Sequence, residues 1–202
     1  MKYLSWSSAR YAVLLLAGYA AVHLAAFAGD PSERKVAELT GLTPHMDGTD
    51  APGTVASGSE EAHFLALLNQ YRAENGAGPL QISVTLETSA TWMSQDMAAR
   101  DYAGHVDSLG RSFRVRLSAF RYRSGYSGEN VGAGFPDAQN IFSGFQNACD
   151  PEPSGRCTYA HRQNMLNPSF KAIGIGRAYN PRSSYHWFWT TDFGGVVDRA
   201  LR

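Results

Sequence analysis

The stretch KAIGIGRAY, residues 171–179, admits few structures. Its residues alternate, with Ile173 and Ile175 on one side and Gly174 and Gly176 on the other, which is the two-residue period of a β-strand. Branched side chains on one face can fill a core. Glycines on the other leave the backbone bare, so that a second element can approach closely. NPRSS, residues 180–184, supplies a turn, and YHWFWTTDF, residues 185–193, is aromatic and β-prone. The reading is a hairpin near the end of the chain.

Helices precede it. Ser59 is a good N-cap, and Glu60 and Glu61 suit the positive end of a helix. Phe64, Leu67, Leu68 and Tyr71 then fall at i, i+3, i+4 and i+7 as one apolar stripe, which Asn75-Gly76 ends. A second helix is predicted over roughly residues 84–101, with Leu86, Ala90, Met93 and Met97 on one face. RSFRVRLSAF, residues 111–120, is a shorter candidate, and Pro136-Asp137 opens another with Ile141, Phe142 and Phe145 inward. Helices first, strands last and a bare sheet face together predict an α+β sandwich. With 202 residues, 44% of them hydrophobic, one domain with a sizeable core is expected.

The N-terminus has a different character. Lys2 and Arg10 precede YAVLLLAGYAAVHLAAFA, residues 11–28, which closes on the A-x-A site Ala26-Phe27-Ala28. That layout predicts a signal peptide over residues 1–28, cleaved near Ala28, and a secreted or periplasmic product. The alternative is an uncleaved anchor, since the apolar run approaches the roughly 20 residues of a membrane span. In the first case this segment is membrane-inserted only during export. Residues 29–58 scatter Gly and Pro without an apolar period and read as a flexible leader, and residues 59–198 as the folded domain. Removing residues 1–28 takes away two of 18 basic residues and none of 18 acidic ones, a balance that argues against nucleic acid. Cys149 and Cys157 bracket DPEPSGR, and in an oxidising compartment they are expected to close that loop as a disulfide.

Three polar positions lie at predicted element ends. His105 follows the second helix in AGHVD. Glu129 lies in YSGENVGAG, residues 126–134, which has too little apolar content for a core element and reads as a glycine-rich run. His161 lies in TYAHRQNMLNP, ahead of a short helix ending at Asn167-Pro168. There is no HExxH, CxxC or GxSxG pattern among them, so spacing alone assigns no chemistry. Arg111, Arg114 and Arg116 read as a solvated basic face. Trp187, Phe188 and Trp189 read as core rather than as an exposed ligand platform, and His186 is left unassigned.

In order, LLNQYRAENGAGPL, LETSATWMSQDMAARDYAGHVD, GRSFRVRL, GYSGENVGAG and AHRQNMLNPSFKAIGIG closely resemble the CAP superfamily. That family comprises cysteine-rich secretory proteins, antigen-5 allergens and plant pathogenesis-related proteins of group one, and the bacterial SCP-like exported branch is the nearest match. The resemblance covers roughly residues 62–195. It implies a three-layer α-β-α sandwich with one cleft lined by two histidines and acidic residues. Matched position by position, the histidines are His105 and His161, and the glutamate is Glu129. Their pairing could favour protonated imidazoles or complete a zinc site at His105 and His161. A second family glutamate, in a W-x-x-E helix end, has no counterpart. Phe145-Gln146-Asn147-Ala148 stands there, with Asp150 and Glu152 following, and Asp107 is the acid expected to make good the loss.

Two functions follow from the resemblance. One is a secreted binding module for a small ligand, lipid, peptide or divalent metal, with an envelope or host protein as partner. The alternative is a hydrolase, most plausibly a peptidase, with Glu129 or a histidine as general base, with or without zinc, or with Ser127 as nucleophile. Binding is the preferred reading. A third reading makes the polar cluster a purely structural lock.

Overall fold

A computed structural model of the chain describes residues 59–198. The signal peptide expected over residues 1–28 and the leader over residues 29–58 lie outside the described residues. The element order is α1 (Glu60–Glu74), β1 (Gln81–Ile82), α2 (Val84–Arg100), α3 (Phe113–Ala119), β2 (Ser127–Ala133), α4 (Ala138–Asn147), α5 (Ala160–Leu166), β3 (Ala172–Tyr179) and β4 (Trp187–Gly194). The strands form one sheet in the order β1-β3-β4-β2. β1 runs parallel to β3, and β4 is antiparallel to both β3 and β2.

Local chemistry sets the helix starts. The Ser59, Ser83 and Asp137 side chains accept from the amides of Ala62, Leu86 and Asn140 at 3.1, 3.2 and 2.9 Å, closing α1, α2 and α4. Each satisfies an amide that the first helical turn leaves without a partner.

The alternation in β3 separates the two layers packed on the sheet. Ile173 and Ile175 join Phe64 and Leu68 of α1, Ile141 and Phe145 of α4 and Met165 of α5 in one buried cluster. On the opposite face α2 lies directly on the glycines. A Cβ on Gly174 would sit 2.0 Å from the Leu86 carbonyl carbon, and one on Gly176 would sit 2.3 Å from that of Ala90. On this side Met93 and Met97 pack with Val131, Ala133 and Phe188. The architecture is the expected α+β sandwich of three layers. Arg72 ties it together: fully buried in α1, it donates to the carbonyls of Gly78, Met165, Asn167 and Phe170.

Three features depart from the expectations. The glycine-rich run around Glu129, expected to hold too little apolar content for a core element, is a buried strand, β2. Small residues take the place of apolar ones because neighbours crowd it. A Cβ on Gly128 would meet Asn164 Oδ1 at 2.9 Å, and one on Gly132 would meet Ile141 Cδ1 at 2.4 Å. β1 is two residues long, too short to show a period. Arg111, Arg114 and Arg116 do not form one solvated face, since Arg116 is fully buried and Arg111 lies over the Trp92 ring, 4.9 Å from its centroid.

The Cys149–Cys157 disulfide is formed, with Cα atoms 5.0 Å apart and a sequence separation of 8. Closing so short a loop contributes about 2 kcal/mol in the chain-entropy model.

Candidate functional site

β2 ends the sheet, and the polar residues collect around it. Along the strand Gly128, Asn130 and Gly132 face α4 and α5, while Glu129, Val131 and Ala133 face α2 and α3. Glu129 therefore enters from the α2 side and Asn130 from the α5 side. Asn130 Nδ2 donates to the His161 carbonyl at 3.1 Å. Asn164 Nδ2 donates to the Glu129 carbonyl at 3.1 Å and to Asn130 Oδ1 at 2.8 Å. These bonds fix α5, and with it His161, against the strand.

His105 is held by the segment that leaves α2. Asp101 terminates the helix in the left-handed conformation, with φ 54°. Asp96, buried in the last turns of α2, accepts from the Tyr102 hydroxyl at 2.5 Å and from the Ser108 amide and hydroxyl at 2.9 and 2.6 Å. Residues 102–108 are thus tied to the helix on both sides of His105. The His105 Nδ1 lies 2.8 Å from Glu129 Oε1, and its side chain is 27% exposed. The other carboxylate oxygen, Oε2, accepts from Arg116 Nη2, and both of these side chains are fully buried. Asp192, opposite Glu129 on β4, lies 3.9 Å from the same Nη2. Burial pushes the Asp192 carboxyl up to about 6, with the Arg116 charge and the Ser89 hydroxyl pulling it back.

His161 is 3% exposed and stacks on Phe145, with ring centroids 5.3 Å apart and planes 8° from parallel. Its Nδ1 lies 3.7 Å from Asp150 Oδ1. Burial lowers its pKa, and Asp150 opposes the shift.

Of the residues expected in the cleft, His105, Glu129 and His161 gather at β2, and each imidazole turns its Nδ1 toward a carboxylate. Asp107 has a different task. Its oxygens accept from the Leu109 and Arg111 amides at 3.0 and 2.8 Å and from Arg111 Nε at 2.8 Å, so it closes its own turn. The acid that faces His161 is Asp150, from the disulfide loop. Arg116 is the second functional residue that the sequence reading missed. Its signal was contradictory, because RSFRVRL places arginines on every side of a short helix. Among the described residues neither cleft histidine side chain hydrogen-bonds a serine. His186 sits in an exposed turn with φ 64°, six residues or roughly 20 Å along the strand from Asp192. Trp189 and Phe188 are fully buried, as expected of core.

Burial drives the His105 pKa down to about 4. The positive charges of His161 and Arg116 act in the same direction, and Asp150 opposes them. Between about 4 and 6.5 the unfolded chain therefore takes up a proton that the folded chain refuses. Stability from this group is complete above pH 6.5 and is lost as pH falls toward 4. Asp192 has the opposite sign, since its folded carboxyl holds a proton that the unfolded one releases. Comparing wild type with His105→Gln cancels the Asp192 contribution. Urea unfolding at pH 7, 5.5 and 4 should show wild type losing up to about 3 kcal/mol more than the variant.

Residues 65–193 match the family described as CAP, the cysteine-rich secretory proteins. The chain belongs to that family. It is 31% identical over 147 residues to an uncharacterized protein of Bacillus subtilis strain 168, YkwD, an alignment covering 73% of this chain and 51% of that one. The chain thus spans about half of that relative. An extracellular protein of Bacillus anthracis containing an SCP domain superposes with a TM-score of 0.56 at 23% identity, over 68% of this chain and 40% of that one. An outer surface protein of Borrelia burgdorferi superposes with a TM-score of 0.57 at 16% identity, over 70% of this chain and 97% of that one. Both likenesses are of fold.

Proposed function

We propose that the chain is an exported binding protein whose cleft at His105, Glu129 and His161 holds a ligand without hydrolysing it. The observation that carries this reading is the state of Glu129. A general base has to lie within reach of the water it activates. The Glu129 side chain is fully buried, with Oε1 against His105 and Oε2 against Arg116, so the carboxylate acts as a fixed prop. It orients the His105 ring through Nδ1 and leaves Nε2 to a ligand. The N-terminal segment, the disulfide and the extracellular and outer-surface descriptions of the two solved relatives support export. Lipids, small molecules, peptides and envelope or host proteins are the ligand classes this reading admits.

One observation favours zinc as part of that ligand set, and with it the hydrolase reading. Metal-binding histidines commonly present one ring nitrogen to a carboxylate and the other to the metal. The pair His105–Glu129 has this form at 2.8 Å, and His161 Nδ1 stands 3.7 Å from Asp150, facing a carboxylate without a hydrogen bond to it. The donors fit zinc in kind. In number they fall short, because catalytic sites use three protein ligands, and among the described residues no group of three or more His, Cys, Asp or Glu is placed to hold a metal ion. Zinc would be held by the two imidazoles and would supply Lewis acidity when bound.

Calorimetric titration of the full chain with zinc near neutral pH, beside His161→Ala, tests the cleft. Digestion of casein with and without zinc tests the chemistry. The expected result is saturable zinc binding lost in the variant, with casein intact in every case. Casein cleavage that Glu129→Gln abolishes would overturn the binding reading. No zinc binding by either folded protein would remove the metal from it.

A further inference from the structure

Residues 109–128 carry five arginines and no acid, in a chain whose 18 basic and 18 acidic residues balance as a whole. Two of the five are spent inside or on a turn: Arg116 on Glu129, and Arg111 on Asp107. Arg114, Arg121 and Arg123 are exposed, and among the described residues none of the three makes an ion pair. Arg114 and Arg123 line opposite walls of one depression of about 320 Å³ between α3 and residues 122–127. Ligand sites begin at about 300 Å³, so this space suits a small charged group.

The remaining polar lining is made of hydroxyls. Ser118 comes from α3, and Ser124 and Ser127 from the facing segment. The Ser124 Oγ already accepts from the amides of Tyr126 and Gly195, both at 3.1 Å. Its two lone pairs are thereby used, and its proton is drawn to the neighbouring Tyr122 hydroxyl. The facing segment is anchored from behind, because the Tyr122 hydroxyl donates to the Val196 carbonyl at 2.7 Å and accepts from the Val196 amide at 3.1 Å. Asp198 is the carboxylate felt at that anchor, and its Oδ1 already accepts from Ser83.

We propose that this depression binds a phosphate group, at a site separate from the histidine cleft. Two guanidinium forks on opposing walls with the Ser118 and Ser127 hydroxyls between them offer more donors than a carboxylate can accept. They match a tetrahedral oxyanion, to which arginine donates in bidentate fashion. The phosphate can come from a soluble monoester or from a lipid headgroup, and the experiment separates these sources.

The full chain is titrated calorimetrically with inorganic phosphate and with glycerol 3-phosphate. It is also sedimented with vesicles of phosphatidylglycerol and, as the neutral control, of phosphatidylcholine. Each measurement is repeated on Arg114→Gln/Arg123→Gln, so that the contribution of the N-terminal segment to vesicle binding cancels. Both side chains are exposed, and a melting curve confirms that the variant folds. Saturable binding to a phosphate probe, weakened about tenfold for each arginine removed, is the expected result. Binding to the soluble probes identifies a free phosphate ligand, and binding to phosphatidylglycerol vesicles alone identifies a headgroup. Ser118→Ala, which removes one exposed hydroxyl, should weaken the same binding by a smaller factor. Equal affinity in wild type and the double variant, or no saturable binding to any phosphate probe, overturns the proposal.

Discussion

Arg116→Met should lower the stability of the fold by about 3–5 kcal/mol, the cost of leaving a buried carboxylate without its counter-charge. The methionine has nearly the length of the arginine stem and fills much of the same space, so lost packing explains little of the effect. What remains is electrostatic. Glu129 and Asp192 are both fully buried, lie opposite each other on β2 and β4, and share the single guanidinium between them. Urea unfolding at pH 7 measures the loss. Adding Glu129→Gln to the same chain should recover a large part of it, since the neutral amide has no charge to strand. A single-variant loss below about 1 kcal/mol would show that the pair contributes little.

Gly174→Ala should cost at least about 3 kcal/mol, the upper end for overpacking, although it adds a single methyl group. The added carbon would stand 2.0 Å from the Leu86 carbonyl carbon and 2.1 Å from the Glu87 amide nitrogen. Backbone atoms cannot rotate aside as a side chain can. Either α2 lifts from the sheet or β3 bends, and each loosens the packing of Met93 and Met97 on Val131 and Phe188. Gly78→Ala is the control: nothing lies within 4 Å of its Cβ position, and the change should be within about 0.5 kcal/mol. Thermal melts of the two variants side by side decide the point. Similar melting temperatures would mean that the helix is less closely seated on the sheet than the geometry requires.

How much of this was readable beforehand depended on whether a residue's role is set locally. Ser59 and the stripe from Phe64 to Tyr71 define α1 through contacts within a few residues, and the helix starts where they place it. The Ile/Gly alternation of β3 carried the layer order, because one face needs bulk and the other needs none. β2 was illegible for a related reason. Its side chains alternate between glycine or asparagine and small or charged residues, so the strand period is present without the hydrophobic signal that normally reveals it. Arg116 was misread because burial of an arginine is decided by a carboxylate 13 residues away, across a helix–strand junction that no local pattern encodes. Of the histidine cleft, the resemblance supplied His105, Glu129 and His161. Asp150 could be located only from the folded loop, since its neighbours Pro151 and Glu152 look equally exposed on paper.

The loop that carries Asp150 separates two design variables. Asp150 is buried, whereas residues 151–156 are exposed. The disulfide and a bridge between Pro151 and Cys157 fix the ends of the segment. Its inward carboxylate is thus held independently of what its outer residues are. The side chains of residues 152–156 can therefore vary while the charge that faces His161 stays where it is.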